Sequence, residues 1–414
     1  MFYNKYGDIM EKQILHIDVN NAFLSWTAVD MLANGYDIDI REIPAIIGGD
    51  ETKRSGIVLA KSMKAKECGI KTADTIYQAR KKCPNLKIFS SDFKIYRRYS
   101  NMLYELLLQY TDKIERYSID ECFLDMTEYL MKSTLIDKAN EISHRVKEEL
   151  GFTVNIGVAH NKLLAKMASD FTKPDRVHTL FKEDVPIKMW NLPISELFML
   201  GKKTVPKLNN MQIKTIGDLA KTDKNLLSKK FGKHGIQIWE YANGIDNSEV
   251  HYEEEKPKGV GNSITLANNI SDIGKLEEIL LALTEQVTYR LRRYELLANT
   301  VSVQLRTKNF EDTSHQGKLL TSTSSTKEIY SKAKQLLIQM YHKSMEIRLI
   351  GVRVDNLVEK EETQISLFKD VENDKQEKLD DAIDKIKDKY GYNSITRAGK
   401  MRVNDVLKLK DIKK

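Results

Sequence analysis

Twice along this chain, on either side of the charged run HYEEEKPKG (251–259), the hydrophobic pattern passes through the same order of elements: β, α, β, β, α, β. The first set runs from the strand QILHIDV (13–19) and the helical NNAFLSWTAVDMLANG, through the amphipathic DFKIYRRYSNMLYELLLQY and a strand pair around YSIDECFLD, to a helix ending HRVKEELG and the strand FTVNIGVA. The second uses GNSITL, a long helix near 275–296, TVSVQLRTKNF, KLLTSTS, KEIYSKAKQLLIQMY and IRLIGVRV. Each set suffices for one α+β sheet, and the first has the order of a ferredoxin-like sheet. The run between them carries Pro, Gly and dense charge, so it reads as an exposed linker. A chain of 414 residues needs more than one core in any case.

Composition narrows the classes. Three unevenly spaced cysteines, Cys68, Cys83 and Cys122, support neither a disulfide framework nor a zinc site. No apolar run approaches the roughly 20 residues of a membrane helix, and the start MFYNKYGDIMEKQ lacks a signal-peptide core, so a cytoplasmic protein without membrane contact is expected. The formal charge of +7 suits a polyanionic partner without requiring one. From Leu357 the chain becomes strongly charged, the composition of a flexible tail with at most a helix near 375–390.

Chemistry concentrates in three acids. Asp18 ends the first strand, and Asp120 and Glu121 sit on the hairpin that would lie beside it in a ferredoxin-like sheet. Three gathered carboxylates repel unless cations neutralise them, and oxygen-only ligands suit Mg²⁺ or Mn²⁺. Two such ions, roughly 3.5–4 Å apart, are the usual device for phosphoryl transfer. Successive strand residues point to opposite faces, so Asp120 and Glu121 can share one site only at a strand bend. The residues alone leave nucleotidyl transfer, a nuclease, a cyclase and a structural ion network open.

Five stretches in one order, HIDVNNAFLSW, GIVLAKSMKAK, YSIDECFLD, NIGVAHNKLLAKMASDFTKP and LGKKTVPKLNNMQIKTIGDL, make the chain resemble the Y-family translesion DNA polymerases of the DinB/UmuC type from about Gln13 to Phe368. The resemblance implies a right-hand α+β polymerase: an extension (1–12), a palm (13–33 and 77–175), fingers (34–76), a helix-hairpin-helix thumb (176–246), a linker (247–258), a little finger (259–357) and a charged tail (358–414). It implies low-fidelity, non-proofreading synthesis on damaged templates, with primer-template DNA and deoxynucleotides as partners and two Mg²⁺ ions as cofactor, and a monomer is expected.

Carried over residue by residue, the likeness makes Asp18, Asp120 and Glu121 the metal-binding and catalytic carboxylates, with the Val19 carbonyl on the second ion. Phe23 matches the gate that excludes a ribose 2′-hydroxyl, with Ala22 beside it at the nucleotide; Lys173 in TKPD, and Lys66, match triphosphate contacts. Many family members carry Tyr and Arg where this chain has Met63 and Lys66; Lys66 keeps the charge without the bidentate fork, and Met63 can donate nothing. These choices lean toward the UmuC side, so a subunit needing accessory partners stays open, as does a non-polymerase two-metal enzyme. In the thumb, Gly201 would let backbone N–H groups approach a DNA phosphate while Lys202 and Lys203 supply charge. In the tail, QISLF resembles the bacterial sliding-clamp binding motif, through Gln364, Leu367 and Phe368.

Overall fold

Strand β1 (Ile14–Val19) is buried along its whole length because strands flank it on both sides. The structure, a computed structural model, describes residues 11–49, 56–130, 133–253, 256–360 and 371–395, and divides into units of residues 1–254 and 255–414. The N-terminal extension up to residue 10 and the QISLF stretch lie outside the described residues. After β1 the chain turns at Asn21, whose left-handed backbone (φ 48°) Asn tolerates, into helix α1 (Ala22–Ala33).

A small three-stranded sheet follows, formed by β2 (Ala45–Gly48), β3 (Val58–Lys61) and, after helices α2 (Met63–Glu67) and α3 (Ile76–Lys82), β4 (Lys87–Ser90). Its order is β3-β2-β4, with β4 parallel to β2. The boundary expected at residue 76 therefore falls inside this unit: α3 supplies Ile76, Ala79 and the following Cys83 to its core, and β4 completes its sheet. A parallel partner reached through a helix leaves no turn signal for sequence reading to find.

Next come α4 (Phe93–Leu107), β5 (Ile114–Arg116), β6 (Glu121–Asp125), α5 (Leu135–Leu150), β7 (Val154–Ala159), α6 (Lys162–Ser169) and β8 (Val177–Thr179). The large sheet has the order β5-β6-β1-β7-β8. Its first four strands are each antiparallel to their neighbours, in the ferredoxin-like arrangement expected, and the unexpected β8 adds a parallel edge beside β7. Leu15, Ile17 and Val19 of β1 enter one core with α1, α4 and α5, whereas Ile14, His16 and Asp18 face the other way, toward α6. That alternation is the two-residue period of a strand.

Helix α6 crosses β7 unusually closely. A Cβ on Gly157 would stand 1.8 Å from the Ala165 carbonyl oxygen and 2.7 Å from the Ser169 nitrogen, so only glycine permits this approach. The apolar face of α6 then shares a core with α7 (Val205–Asn209), α8 (Ile216–Lys221), α9 (Lys224–Phe231) and α10 (Lys233–Ala242) through Leu163, Leu208, Ile216, Leu227 and Ile238. Of the two helices expected around Gly201, the upstream one is only a single 3₁₀ turn, Ile194–Glu196.

The second unit contains β9 (Gly259–Ile270), α11 (Ile273–Arg293), β10 (Leu296–Thr307), β11 (Asp312–Thr323), α12 (Thr326–Met340) and β12 (Ile347–Glu359). The element order repeats that of the first sheet, but the strand order, β11-β10-β12-β9, does not: its first strand sits at an edge instead of the middle. Helix α13 (Val371–Tyr390) covers the stretch near 375–390 where the sequence allowed at most a helix, and begins four residues earlier. Arg292 of α11 holds Asp384 with two hydrogen bonds of 2.6 and 3.0 Å, the backbone N–H of Thr326 donates to Asp380, and the Tyr289 hydroxyl donates to Asp388. An anchor made of charged residues is invisible to a search for apolar periodicity. Among the described residues no helix is long and apolar enough to cross a membrane.

Gly157→Ala is expected to cost roughly 3 kcal/mol, since backbone and not a side chain must give way. Gly201→Ala, with nothing within 4 Å and no positive φ, should change stability by less than about 0.5 kcal/mol. Urea midpoints of the two variants against the parent provide the check, and equal midpoints would contradict the close α6–β7 packing.

Candidate active site

The register of β1 on β6 makes Asp18 and Glu121 Cα partners on neighbouring strands. Asp120 precedes Glu121 in a bend over residues 118–120, so the strand bend that sequence reasoning required is present. Ser118 builds it. Its hydroxyl accepts from the backbone N–H groups of Asp120 (3.3 Å) and Glu121 (3.1 Å) and donates to Asp120 Oδ1 (2.7 Å), while its own N–H donates to the Glu121 carbonyl. Across the strand gap, the Val19 N–H donates to the Asp120 carbonyl at 3.0 Å, fixing the bend to the end of β1.

Two lysines fill the space among these acids. Lys166 of α6, only 7% exposed, places Nζ 3.0 Å from Glu121, 3.3 Å from Asp170 and 3.6 Å from Asp18. Lys173 reaches Asp18 at 2.7 Å and Asp170 at 2.9 Å. Asp18, Lys166, Asp170 and Lys173 thus form a closed ring of alternating charge, to which Glu121 adds a further arm. Sequence reasoning named Lys173 but missed Lys166 and Asp170; their signal was the spacing Lys166, Asp170, Lys173, which turns one acid toward two bases.

The charges set the ionisation of the site. Burial opposes ionisation of Glu121, yet His16 and the Lys166 ammonium hold it at about 2. His16 Nε2 lies 3.6 Å from Glu121 and burial holds its ring neutral, so Lys166 is the partner that brings a full positive charge to this carboxylate. Stability from Glu121 is therefore full above its ordinary carboxylate range and is lost as pH falls toward 2. Burial raises the carboxyl of Asp120, helped by the negative charges of Asp18 and Glu121 and opposed by the Ser118 hydroxyl. Lys166 and Lys173 stay protonated, because the carboxylates outweigh the burial that disfavours their charge.

The donor set is oxygen only and, among the described residues, Asp120 has no cationic partner, which fits a hard divalent ion. Among those residues no three acidic, imidazole or thiol groups are already drawn into a ligating cluster; the ammonium groups of Lys166 and Lys173 are lodged between the carboxylates instead. Phe23 is half-buried at the edge of the core that β1 shares with α1, α4 and α5, its ring stacked on Tyr96 with centroids 4.5 Å apart. The Ala22 methyl is buried in that core. Lys66 is exposed on α2, close enough to Lys61 to depress it further after burial. Gly201, Lys202 and Lys203 are exposed in the turn before α7, outside the carboxylate cluster.

Residues 17–170 match the impB/mucB/samB family, residues 257–367 that family's C-terminal domain, and residues 197–246 a DNA polymerase-iota thumb domain. The chain is 47% identical to DNA polymerase IV of Clostridium acetobutylicum, over 94% of this chain and 98% of that one. It is 35% identical to DNA polymerase IV 1 of Bacillus subtilis, over 94% and 93%. A solved Y-family DNA polymerase chimera superposes with a TM-score of 0.72 at 24% identity, covering 84% of this chain and 99% of that one, a likeness of fold.

Asp120 offers a check that depends on none of these likenesses. Its carboxyl is raised, so ionisation at neutral pH works against the fold, and a neutral amide relieves that opposition. Asp120→Asn is expected to raise the melting temperature of the metal-free protein by about 2 °C or more at pH 7. The gain should vanish at pH 3, where the parent carboxyl is protonated. A variant less stable than the parent at pH 7 would remove Asp120 from the uncompensated cluster.

Proposed function

Since the chain belongs to the impB/mucB/samB family, the Y-family DNA polymerases of the DNA polymerase IV type, we propose that the acids at the β1–β6 junction are its catalytic centre. The protein is a translesion DNA-directed DNA polymerase, and primer-template DNA and deoxynucleotides are its substrates. The observation that carries the assignment of the site is the register pairing Asp18 with Glu121, together with the Ser118 bend that brings in Asp120.

In this reading Asp18, Asp120 and Glu121, with the Val19 carbonyl, hold two Mg²⁺ ions, and Mn²⁺ can replace them. When bound, the ions lower the pKa of the attacking primer hydroxyl and neutralise the departing pyrophosphate. The chain's own residues do the rest. Lys173 exchanges Asp18 for the triphosphate, and Lys66 adds a point charge from the fingers side, where Met63, 43% exposed, contributes only apolar contact. Phe23, backed by Tyr96 and set in the first turn of α1, leaves no room for a ribose 2′-hydroxyl, and Ala22 fixes that turn by burying its methyl. Gly201, Lys202 and Lys203 grip a DNA phosphate. Synthesis of low fidelity without proofreading, by a monomer, completes the reading.

Single-nucleotide primer extension tests it. Asp18→Ala, Asp120→Ala and Glu121→Ala should each abolish insertion in Mg²⁺ while binding of primed DNA survives, and Phe23→Ala should raise the ratio of ribonucleotide to deoxyribonucleotide kcat/KM. Near-normal insertion by Glu121→Ala, or an unchanged ratio in folded Phe23→Ala, would each overturn the corresponding role.

The QISLF stretch supports a sliding-clamp partner. Burying Leu367 and Phe368 in an apolar pocket contributes roughly 3–6 kcal/mol before ordering costs, enough for a weak tether at the primer end. The triple replacement of Gln364, Leu367 and Phe368 by Ala should leave extension of short primers intact and remove clamp stimulation on long templates. Equal stimulation of variant and parent excludes the tether.

A further inference from the structure

The Lys166 amine is nine-tenths buried, makes ion pairs with Asp18, Glu121 and Asp170, and has no other function in the reading above. A structural lysine in such a place would be expected to support the ligands, as outer-shell partners of metal sites do. Its geometry says otherwise. Lys166 approaches Glu121 at 3.0 Å and Asp18 at 3.6 Å, so its ammonium competes with any divalent ion for the same carboxylate oxygens.

We propose that Lys166 is a positioning residue that acts as the resident counter-cation of the metal-free site, and that Asp170 is the acceptor to which it withdraws when metal and nucleotide bind. The inference rests on the assignment of Asp18, Asp120 and Glu121 as metal ligands. Three observations support it. Lys166 neutralises two of the carboxylates, so the cluster keeps its shape without metal. Asp170 already touches both lysines, at 3.3 and 2.9 Å, and with a side chain 45% exposed it can follow Lys166 as it moves. Finally, Lys173 is held by Asp18, so loading Asp18 with metal frees Lys173 for a triphosphate at the same moment. Metal alone must displace Lys173 from Asp18 without compensation, whereas metal arriving with nucleotide offers Lys173 a new anion. The device favours joint loading over binding of metal to the idle enzyme.

The test is Mn²⁺ binding to the full chain without DNA or nucleotide, read from the electron paramagnetic resonance of free Mn²⁺, with folding checked by thermal melting. Lys166→Met is expected to bind Mn²⁺ about tenfold more tightly than the parent, the reverse of the 10–100-fold loss that removing an outer-shell support causes. Lys166→Arg, which keeps the charge, should remain close to the parent. Asp170→Asn should bind about threefold more weakly, since Lys166 loses its alternative partner and presses on Asp18 and Glu121. Unchanged or weaker binding by Lys166→Met overturns the proposal; if that variant does not fold, unchanged or tighter binding by Asp170→Asn does so. Glu121→Gln separates the premises: if it binds Mn²⁺ as the parent does, the carboxylates are not the ligands and the assignment itself fails.

Discussion

Asp18 and Glu121 stand opposite one another on adjacent antiparallel strands, with Asp120 turned in beside them, and the unit around them is organised by that unfavourable placement. Like charges directly across a strand pair destabilise a sheet. The fold answers with a helix instead of a loop: α6 lies on β7 so closely that Gly157 has no space for a methyl, and this contact delivers Lys166 to the acids. A larger residue at 157 would lift α6 and take the countercharge with it. The packing of one glycine and the electrostatics of the site are therefore one constraint seen at two places.

Much of this was legible in the sequence because local signals were strong. The period of QILHIDV announces a strand with Asp18 at its end, and YSIDECFLD announces acids at a hairpin. What could not be read were relations between distant residues. The two β, α, β, β, α, β runs look alike on paper, yet β1 pairs in mid-sheet and β9 at an edge, since strand order is decided by which apolar faces meet. No local signal marks Ser118 as the residue whose hydroxyl holds two N–H groups and the Asp120 carboxylate.

The small sheet shows the same limit from another side. Its five-residue helix α2 carries Met63 and Lys66 and is too short to be stable by itself. Ser62 compensates: its hydroxyl caps the helix at Ala65 N–H, accepts from Ala45 N–H and donates to the Ile43 carbonyl, tying α2 to β2. The departures at Met63 and Lys66 thus sit on a fixed platform and change the chemistry presented without changing how it is held.

Helix α13 inverts the usual logic of docking. It turns Asp380, Asp384 and Lys387 inward and leaves Leu379, Ile386 and Tyr390 exposed, so charge and not apolar area fixes it to α11. Because β12 ends at Glu359 and α13 begins at Val371, residues 361–370, with QISLF among them, are bounded at both ends by one body.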